Sequence, residues 1–235
     1  MKITVVIPMY NESGIISDTA RVLSEYMSAH FESYEIIFFD DGSTDGSARL
    51  VETLALPCVR VLGTNENHGK GSAVRRAMLE ATGDVRVFTD ADLAYGVDVI
   101  RRVYEMMLEQ ESIDVVIGSR NMGDDGYEGY SFKRKLMSKL YIKVLCFVGG
   151  FKLSDSQCGF KAFRAQTADE IFSRCTVDGF AFDFEVILNA LKYQKQIEEM
   201  PVKIINHRSS SIRPVRDAVR MLRDLRKIKK NVKNS

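Results

Sequence analysis

The sequence predicts an α/β fold built on a mainly parallel sheet with helices on both faces. Three observations carry that prediction. Short β-branched runs alternate with helix-period stretches over the first 120 residues, the loops after three of those runs carry clustered acids, and 45% hydrophobic with 28% charged residues is an ordinary globular composition. Ile3 to Ile7, Glu35 to Phe39, Val59 to Leu62, Val85 to Thr89 and Val115 to Gly118 are short, apolar and bounded by turn residues, as buried strands are. Ile15 to Met27, Ser47 to Leu54, Ser72 to Ala81 and Val97 to Leu108 repeat apolar residues at helical spacing. Crossovers between parallel strands are right-handed, and such sheets bind ligands at the carboxyl ends of their strands.

Beyond Asn121 the alternation breaks. Residues 121 to 131 hold four Gly or Ser, three acids and two tyrosines, the composition of a mobile loop beside a site. Leu136, Met137, Leu140, Tyr141, Val144, Leu145 and Val148 then form a helical stripe interleaved with Lys133, Arg134, Lys135, Lys139 and Lys143. From Pro214 the design recurs, with Val215, Ala218, Val219, Leu222, Leu225 and Ile228 as the stripe. We therefore expect a catalytic domain over residues 1–213 and a basic amphipathic extension over 214–235.

With 235 residues the chain can bury a full core without staples. A formal charge of +1 gives no reason to expect a nucleic-acid partner. From Lys203 onward, however, there are 11 Lys or Arg against 2 Asp, a net +9, while residues 1–202 carry 22 against 30, a net −8. Cys58, Cys146, Cys158 and Cys175 are scattered and form no CxxC pair, which suits a reducing cytosol and argues against structural zinc. His30, His68 and His207 make no ligand set, and Cys158 reads as a packed small hydrophobe, since no GxSxG or Cys-His signature accompanies it. The chain opens directly on a strand, with no charged-then-apolar leader and no run of 18 apolar residues, so a spanning protein is not expected, while lying on a membrane stays open.

The acids follow successive strands: Asn11-Glu12 after the first, Asp40-Asp41-Gly-Ser-Thr-Asp45 after the second, Asp90-Ala-Asp92 after the fourth. A carboxylate at a strand end accepts from a nucleotide's base or ribose, and an Asp-x-Asp pair holds a hard divalent cation that binds a diphosphate. Singly, each also reads as a turn with a helix cap; recurrence at three strand ends favours a site. Asn67-His-Gly-Lys-Gly71 lacks the Walker spacing, yet opens a helix where Lys70 and free N–H groups approach a diphosphate, or where the chain merely turns.

These residues resemble a family. Val5-Val-Ile-Pro-Met-Tyr-Asn-Glu12, Phe39-Asp-Asp-Gly-Ser-Thr-Asp45, Asn67-His-Gly-Lys-Gly71, Thr89-Asp-Ala-Asp92 and Gly118-Ser-Arg120 are similar, in order, to the inverting family 2 glycosyltransferases of GT-A fold. Gly69-Lys-Gly-Ser-Ala-Val-Arg75 and Asp155-Ser-Gln-Cys-Gly-Phe-Lys161 resemble the dolichyl-phosphate β-glucosyltransferase branch and, more loosely, dolichyl-phosphate mannose synthases. The resemblance implies that Pro8, Tyr10, Asn11, Glu12, Asp41, Lys70, Asp90 and Ala91 line the nucleotide sugar, and that Asp90 and Asp92 hold Mg2+ or Mn2+. It also implies that Arg120 and Arg134 contact phosphate and that Gln157, Asp183 and Glu185 lie toward sugar and acceptor, with one of the last two reduced to a cap. Asp92, Arg120, Arg134 and Asp183 are the expected catalytic set. Ala94 stands where mannose synthases often carry a further Gln ligand, which weakens a mannose assignment.

The activity so implied moves a hexose, glucose from UDP-glucose first, onto a polyprenyl or dolichyl phosphate. GDP-mannose as donor, a glycan hydroxyl as acceptor, and a nucleotide-sugar-binding scaffold without turnover are the alternatives. A lipid phosphate is already anionic near neutral pH, its second pKa being about 6, so no strong base is required. Such an acceptor has its head group at a bilayer surface, and the two basic amphipathic stretches suit docking there from the cytoplasmic side, with a homo-oligomer interface as the competing use of either stripe.

Overall fold

A computed structural model describes residues 1–123, 126, 132–206, 225 and 228–232. Its elements, in order, are β1 (Ile3–Met9), α1 (Ile16–His30), β2 (Tyr34–Asp41), α2 (Ser47–Thr53), β3 (Val59–Thr64), α3 (Lys70–Glu80), β4 (Val85–Phe88), α4 (Asp98–Glu109), β5 (Val115–Ser119), α5 (Phe132–Gly149), β6 (Lys161–Arg164), α6 (Ala165–Phe172), α7 (Phe182–Lys192) and β7 (Ile197–Pro201). The strands form one sheet ordered β3-β2-β1-β4-β6-β5-β7. All neighbours pair parallel except β6, which runs antiparallel to both β4 and β5.

Alternation within the strands divides the interior into two cores. Ile3, Val5, Ile7 and Met9 of β1 and Ile36 and Phe38 of β2 face one side, packed on Ile16, Ala20, Leu23 and Met27 of α1 and Val99, Ile100, Val103 and Met107 of α4. Val6, Ile37, Phe39 and Phe88 face the other, against Ala73, Val74 and Ala77 of α3, Leu145 of α5, Ile171 of α6 and Phe184 and Ile187 of α7. Each Val, Leu, Ile, Met or Phe side chain among these, once buried, stabilises the fold by about 1.5–3 kcal/mol.

The expected strands and helices occur with ends shifted by a few residues; β6, α6 and β7 were not foreseen. β6 is four residues long and carries Lys161 and Arg164, so its sequence lacks an apolar run. β7, Ile-Glu-Glu-Met-Pro, sits at the sheet edge with Glu198 exposed and shows no hydrophobic alternation. In α5 the single expected stripe divides in two. Leu145 is buried, with Tyr141 and Val148 packed on the second core, whereas Leu136, Met137 and Leu140 are exposed, joined by Phe147 at 89% exposure.

The tail stripe also needs correcting where it is described. Leu225 and Ile228, expected to face a bilayer or a partner copy, are buried in the second core with Val232. Lys192 Nζ donates to Val232 O at 2.8 Å and Lys229 Nζ to Val148 O at 2.7 Å, tying this stretch to α7 and α5. The apolar stripe there covers the body of the protein. Most of the 121–131 loop and residues 207–224, including His207 and Pro214, lie outside the described residues.

Candidate active site

Because β1, β2 and β4 are parallel, their carboxyl ends share one edge, in a register pairing Met9 with Asp40 and Val6 with Phe88. The loops after β1 and β2 interlock there. Asn11, at φ 54°, accepts through Oδ1 from Thr44 N–H at 2.9 Å, and its own N–H donates to Ser43 Oγ at 2.9 Å. Glu12 N–H donates to Ser47 Oγ at 2.8 Å and Ser13 N–H to Asp45 Oδ2 at 2.9 Å. Asp40 and Asp45 are turn residues of this unit: Asp40 accepts from Ser43 N–H and hydroxyl, and Asp45 from both groups of Ser47. Burial would raise the Asp45 carboxyl, but the bonds from Ser47 and Ser13 hold it well below the usual range. Asp41 accepts from His68 N–H at 3.1 Å and Gly69 N–H at 2.7 Å, clamping the loop before α3. Pro8 is half-buried and Tyr10 stands 46% exposed at the mouth.

The carboxylates of the third loop sit among cations. Lys70, the first residue of α3, pairs through Nζ with Asp90 Oδ1. The helix start is fixed from behind: Gly71 N–H donates to Asp178 O at 2.8 Å, and Gly69, at φ 112°, lies so close that a Cβ would stand 2.5 Å from the same oxygen. Asp92 Oδ1 accepts from Ala94 N–H at 3.1 Å; burial and the neighbouring Asp90 raise its carboxyl. Ala91 is buried and its carbonyl accepts from Thr19 Oγ1 at 2.7 Å, which moors the loop to α1. Burial lowers Lys70, but Asp90, Asp183 and Asp92 outweigh it and leave the ammonium above its ordinary value. Asp183, in the first turn of α7, accepts from Lys161 Nζ at 2.5 Å. Burial raises its carboxyl, Lys161 and Lys70 oppose that, and Asp90 adds to it, so the expected residues Lys70, Asp90, Asp92 and Asp183 share one electrostatic field.

Arg120 and Asp155 form a buried fork, Nε to Oδ2 at 2.6 Å and the terminal nitrogen to Oδ1 at 3.0 Å, with Asp155 fully buried. Asp155 also accepts from Gln157 N–H at 3.1 Å, and its own N–H donates to Glu199 of β7 at 3.0 Å. Among the described residues, Thr89 Oγ1, Ser156 Oγ and Gln157 Nε2 are buried without a hydrogen-bond partner, flanking Asp90 on one side and Asp155 on the other. Glu185, assigned from sequence to the sugar and acceptor side, is 1% exposed, and its oxygens accept from Thr176 N–H, Thr176 Oγ1 and Val177 N–H. That is the geometry of a clamp on the loop before α7. Arg134 has no described side chain.

Sequence reasoning gave no role to three residues that shape this site. Lys161 had no signal beyond its place in a quoted motif. Asp155 reads as a turn residue. Gly159 looks like any loop glycine, yet a Cβ there would stand 2.1 Å from Asp90 Oδ2, so the carboxylate lies directly on the glycine.

The donor set suits a hard cation. Asp90, Asp92 and Asp183, with Glu12 in the field of Asp92, supply four carboxylates against two ammoniums, Lys70 and Lys161. Among the described residues no three His, Cys, Asp or Glu side chains converge as a ready ligand set. The Asp90/Asp92 pair is thus the kind of site that takes one or two protein carboxylates and completes its shell with phosphate oxygens.

Known proteins resemble this chain over most of its length. Dolichyl-phosphate beta-glucosyltransferase of Dictyostelium discoideum is 32% identical over 243 residues, covering 97% of this chain and 73% of that protein. The Saccharomyces cerevisiae protein of the same name is 28% identical over 245 residues, covering 95% and 72%. Glucosyl-3-phosphoglycerate synthase from Mycobacterium tuberculosis, solved with Mn2+, uridine diphosphate and glucosyl-3-phosphoglycerate, superposes with a TM-score of 0.74 at 19% identity, covering 98% of this chain and 79% of that one. The fold is the GT-A arrangement. With residues 4–172 matching the model of Glycosyl transferase family 2, the chain belongs to that family and is a glycosyltransferase.

Proposed function

We propose that this chain transfers glucose from UDP-glucose to a dolichyl or polyprenyl phosphate with inversion, assisted by Mg2+ or Mn2+, at the cytoplasmic face of a membrane. The observation that carries the reading is the juxtaposition of Lys70, Asp90, Asp92 and Asp183 in one field at the carboxyl edge of the sheet. The names of the similar proteins from Dictyostelium discoideum and Saccharomyces cerevisiae support glucose and the lipid phosphate, and the uridine diphosphate and Mn2+ of the Mycobacterium tuberculosis structure support the donor and the ion.

In this mechanism the nucleotide half lies over the interlocked loops of Asn11–Glu12 and Asp41, beside the exposed Tyr10. Asp90 and Asp92 are the residues that would hold the cation, which would supply neutralisation of charge on the departing diphosphate. Lys70, at the start of α3, faces the same charge and stabilises it as it develops. Asp183 orients the hexose through a hydroxyl. A phosphate oxygen of the acceptor attacks the anomeric carbon from the opposite side, the bond to the diphosphate breaks, and UDP leaves; one in-line displacement inverts the centre. The acceptor is already ionised, so the site needs no base. Arg120 and Gln157 are the groups we assign to acceptor phosphate, and Glu185 serves as the clamp on the 176–177 turn.

The acceptor's hydrocarbon requires access from a bilayer. No described helix is long and apolar enough to cross one. The outer face of α5 supports contact from one side, since Leu136, Met137, Leu140 and Phe147 are exposed together with Lys139 and Lys143. Four free thiols fit a reducing compartment. The test is a panel of UDP-glucose, GDP-mannose and UDP-N-acetylglucosamine offered with a dolichyl phosphate acceptor and Mn2+, the lipid product being read by mass. Dolichyl-phosphate hexose from UDP-glucose alone is expected; product from GDP-mannose alone, or none with any donor, overturns the reading.

A further inference from the structure

Lysine side chains are almost never fully buried unless paired, because desolvating an ammonium costs several kcal/mol even after relaxation. Lys161 is 0% exposed, on a four-residue strand inserted antiparallel between β4 and β5. Its Nζ donates to Asp183 Oδ1 at 2.5 Å and to Cys158 O at 2.7 Å, and lies 5.5 Å from the centroid of Phe88. Among the described residues, one charge partner, Asp183, is in contact with it. A lysine kept for packing alone would be replaced at no loss by a Met of similar length, since an apolar isostere in place of a buried pair is often neutral or stabilising.

We infer that Lys161 is a positioning residue: it fixes the carboxylate of Asp183 at the turn where α7 begins, so that the other carboxylate oxygen is presented to the donor's hexose. The strand supplies what a loop lysine could not, a base locked by ladder pairs Val87 to Ala162 and Phe88 to Lys161. Those pairs tie Asp183 to β4, the strand that delivers Asp90 and Asp92. The reversed direction of β6 thereby has a consequence for the site: Lys161, its first residue, stands beside Phe88, the last residue of β4, at the catalytic edge. In a parallel insertion the start of the strand would lie at the far end of the sheet.

This inference rests on the proposed role of Asp183, and the test separates the two. Dissociation constants for UDP and for UDP-glucose are measured calorimetrically with Mn2+ for the wild type, Asp183→Asn, Lys161→Met and the double variant, with UDP affinity reporting an intact nucleotide site. Asp183→Asn is expected to erase the preference for UDP-glucose over UDP and to lower turnover on the order of a hundredfold. Lys161→Met should do the same with UDP affinity unchanged, and the double variant should be no worse than Asp183→Asn. If Asp183→Asn leaves preference and turnover intact, the reading of Asp183 falls and this inference with it. If Asp183→Asn shows its loss while Lys161→Met keeps the wild-type preference, the positioning role alone is overturned. Should Lys161→Met not fold, the double variant, which leaves no buried charge unpaired, decides: a preference equal to that of Asp183→Asn supports the inference, and a further loss overturns it.

Discussion

Gly159 offers a perturbation whose size is set by geometry. A Cβ at this position would stand 2.1 Å from Asp90 Oδ2 and 2.7 Å from its Cγ, where ordinary contact begins at 3.4 Å. In Gly159→Ala the Asp90 carboxylate must therefore withdraw by roughly 1.3 Å. The colliding atoms belong to a two-torsion side chain and not to backbone, so the strain is relieved by rotating Asp90 away from Lys70. Overpacking of this kind costs about 1–3 kcal/mol when nothing yields, and less when a side chain swings. A misplacement of about 1 Å within a reacting constellation, by contrast, costs on the order of a hundredfold in rate. Gly159→Ala should accordingly melt within a few degrees of the wild type while UDP release in the presence of UDP-glucose, Mn2+ and dolichyl phosphate falls about a hundredfold. Wild-type turnover in a folded Gly159→Ala protein would refute the placement of Asp90 at the reacting centre. An unfolded variant would refute the claim that the side chain, and not the backbone, absorbs the clash.

Asp92→Asn is expected to abolish cation-dependent UDP release without changing the melting temperature; turnover that persists and still responds to Mn2+ removes Asp92 as a ligand. Glu35 is 6% exposed and accepts from Thr4 Oγ1, Thr82 N–H, Thr82 Oγ1 and Arg60. Burial alone would raise its carboxyl, but these bonds lower it below 4.5, so the stability it contributes is present above that pH and is lost as pH falls through the lowered folded value. Glu35→Gln should be destabilised by about 1.5–3 kcal/mol at pH 7 and progressively less on acidification, and melting curves of the two proteins that stay parallel with pH would contradict this. Leu140→Glu with Phe147→Glu is expected to weaken sedimentation with anionic vesicles while sparing turnover on a short-chain, water-soluble acceptor. Equal loss in both assays would make the α5 face part of the fold, and loss of a dimer on gel filtration would make it an interface between copies.

The fold, and the sheet edge that gathers the acids of the candidate site, were legible where chemistry repeats along the chain. β1, β2, β4 and β5 announced themselves because strands buried on both faces are continuous apolar runs, and the acids after β1, β2 and β4 sit together because parallel strands end on one side. What escaped is what contact alone decides. Lys161 and Arg164 make β6 look like a loop, and only the pairing of Lys161 with Asp183 explains a charge inside the sheet. Asp41 and Asp45 are acids of one short segment, but one clamps the 68–69 turn and the other accepts from Ser47 in a local turn, a division set by which N–H groups lie within reach. Periodicity found the helix α5 and could not tell its two apolar sides apart, because the stripe that packs on Phe184 and its neighbours has the same spacing as the one left outside.

The two lysines of the site look alike on paper and differ in what their surroundings allow. Lys161 has no exposed surface and holds Asp183 from within a strand, so breaking that pair would strand a charge in the core, at a cost of about 3–5 kcal/mol. Lys70 keeps 25% of its side chain exposed and sits in the first turn of α3, where a cation is opposed by the helix dipole and is tolerated because Asp90 faces it. Its pairing is therefore the one that an arriving anion would exchange: a diphosphate at that helix start would gain the ammonium, and Asp90 and Asp92 are the residues that would hold a cation there. Under the proposed mechanism, a permanent pair beside an exchangeable one would give the site a fixed carboxylate for the sugar and an adjustable one for the phosphate. Lys70→Met should consequently weaken UDP binding while leaving the ratio of UDP-glucose to UDP affinity unchanged, the converse of Lys161→Met, and a Lys70→Met protein that binds UDP normally but loses that ratio would show the division to be drawn in the wrong place.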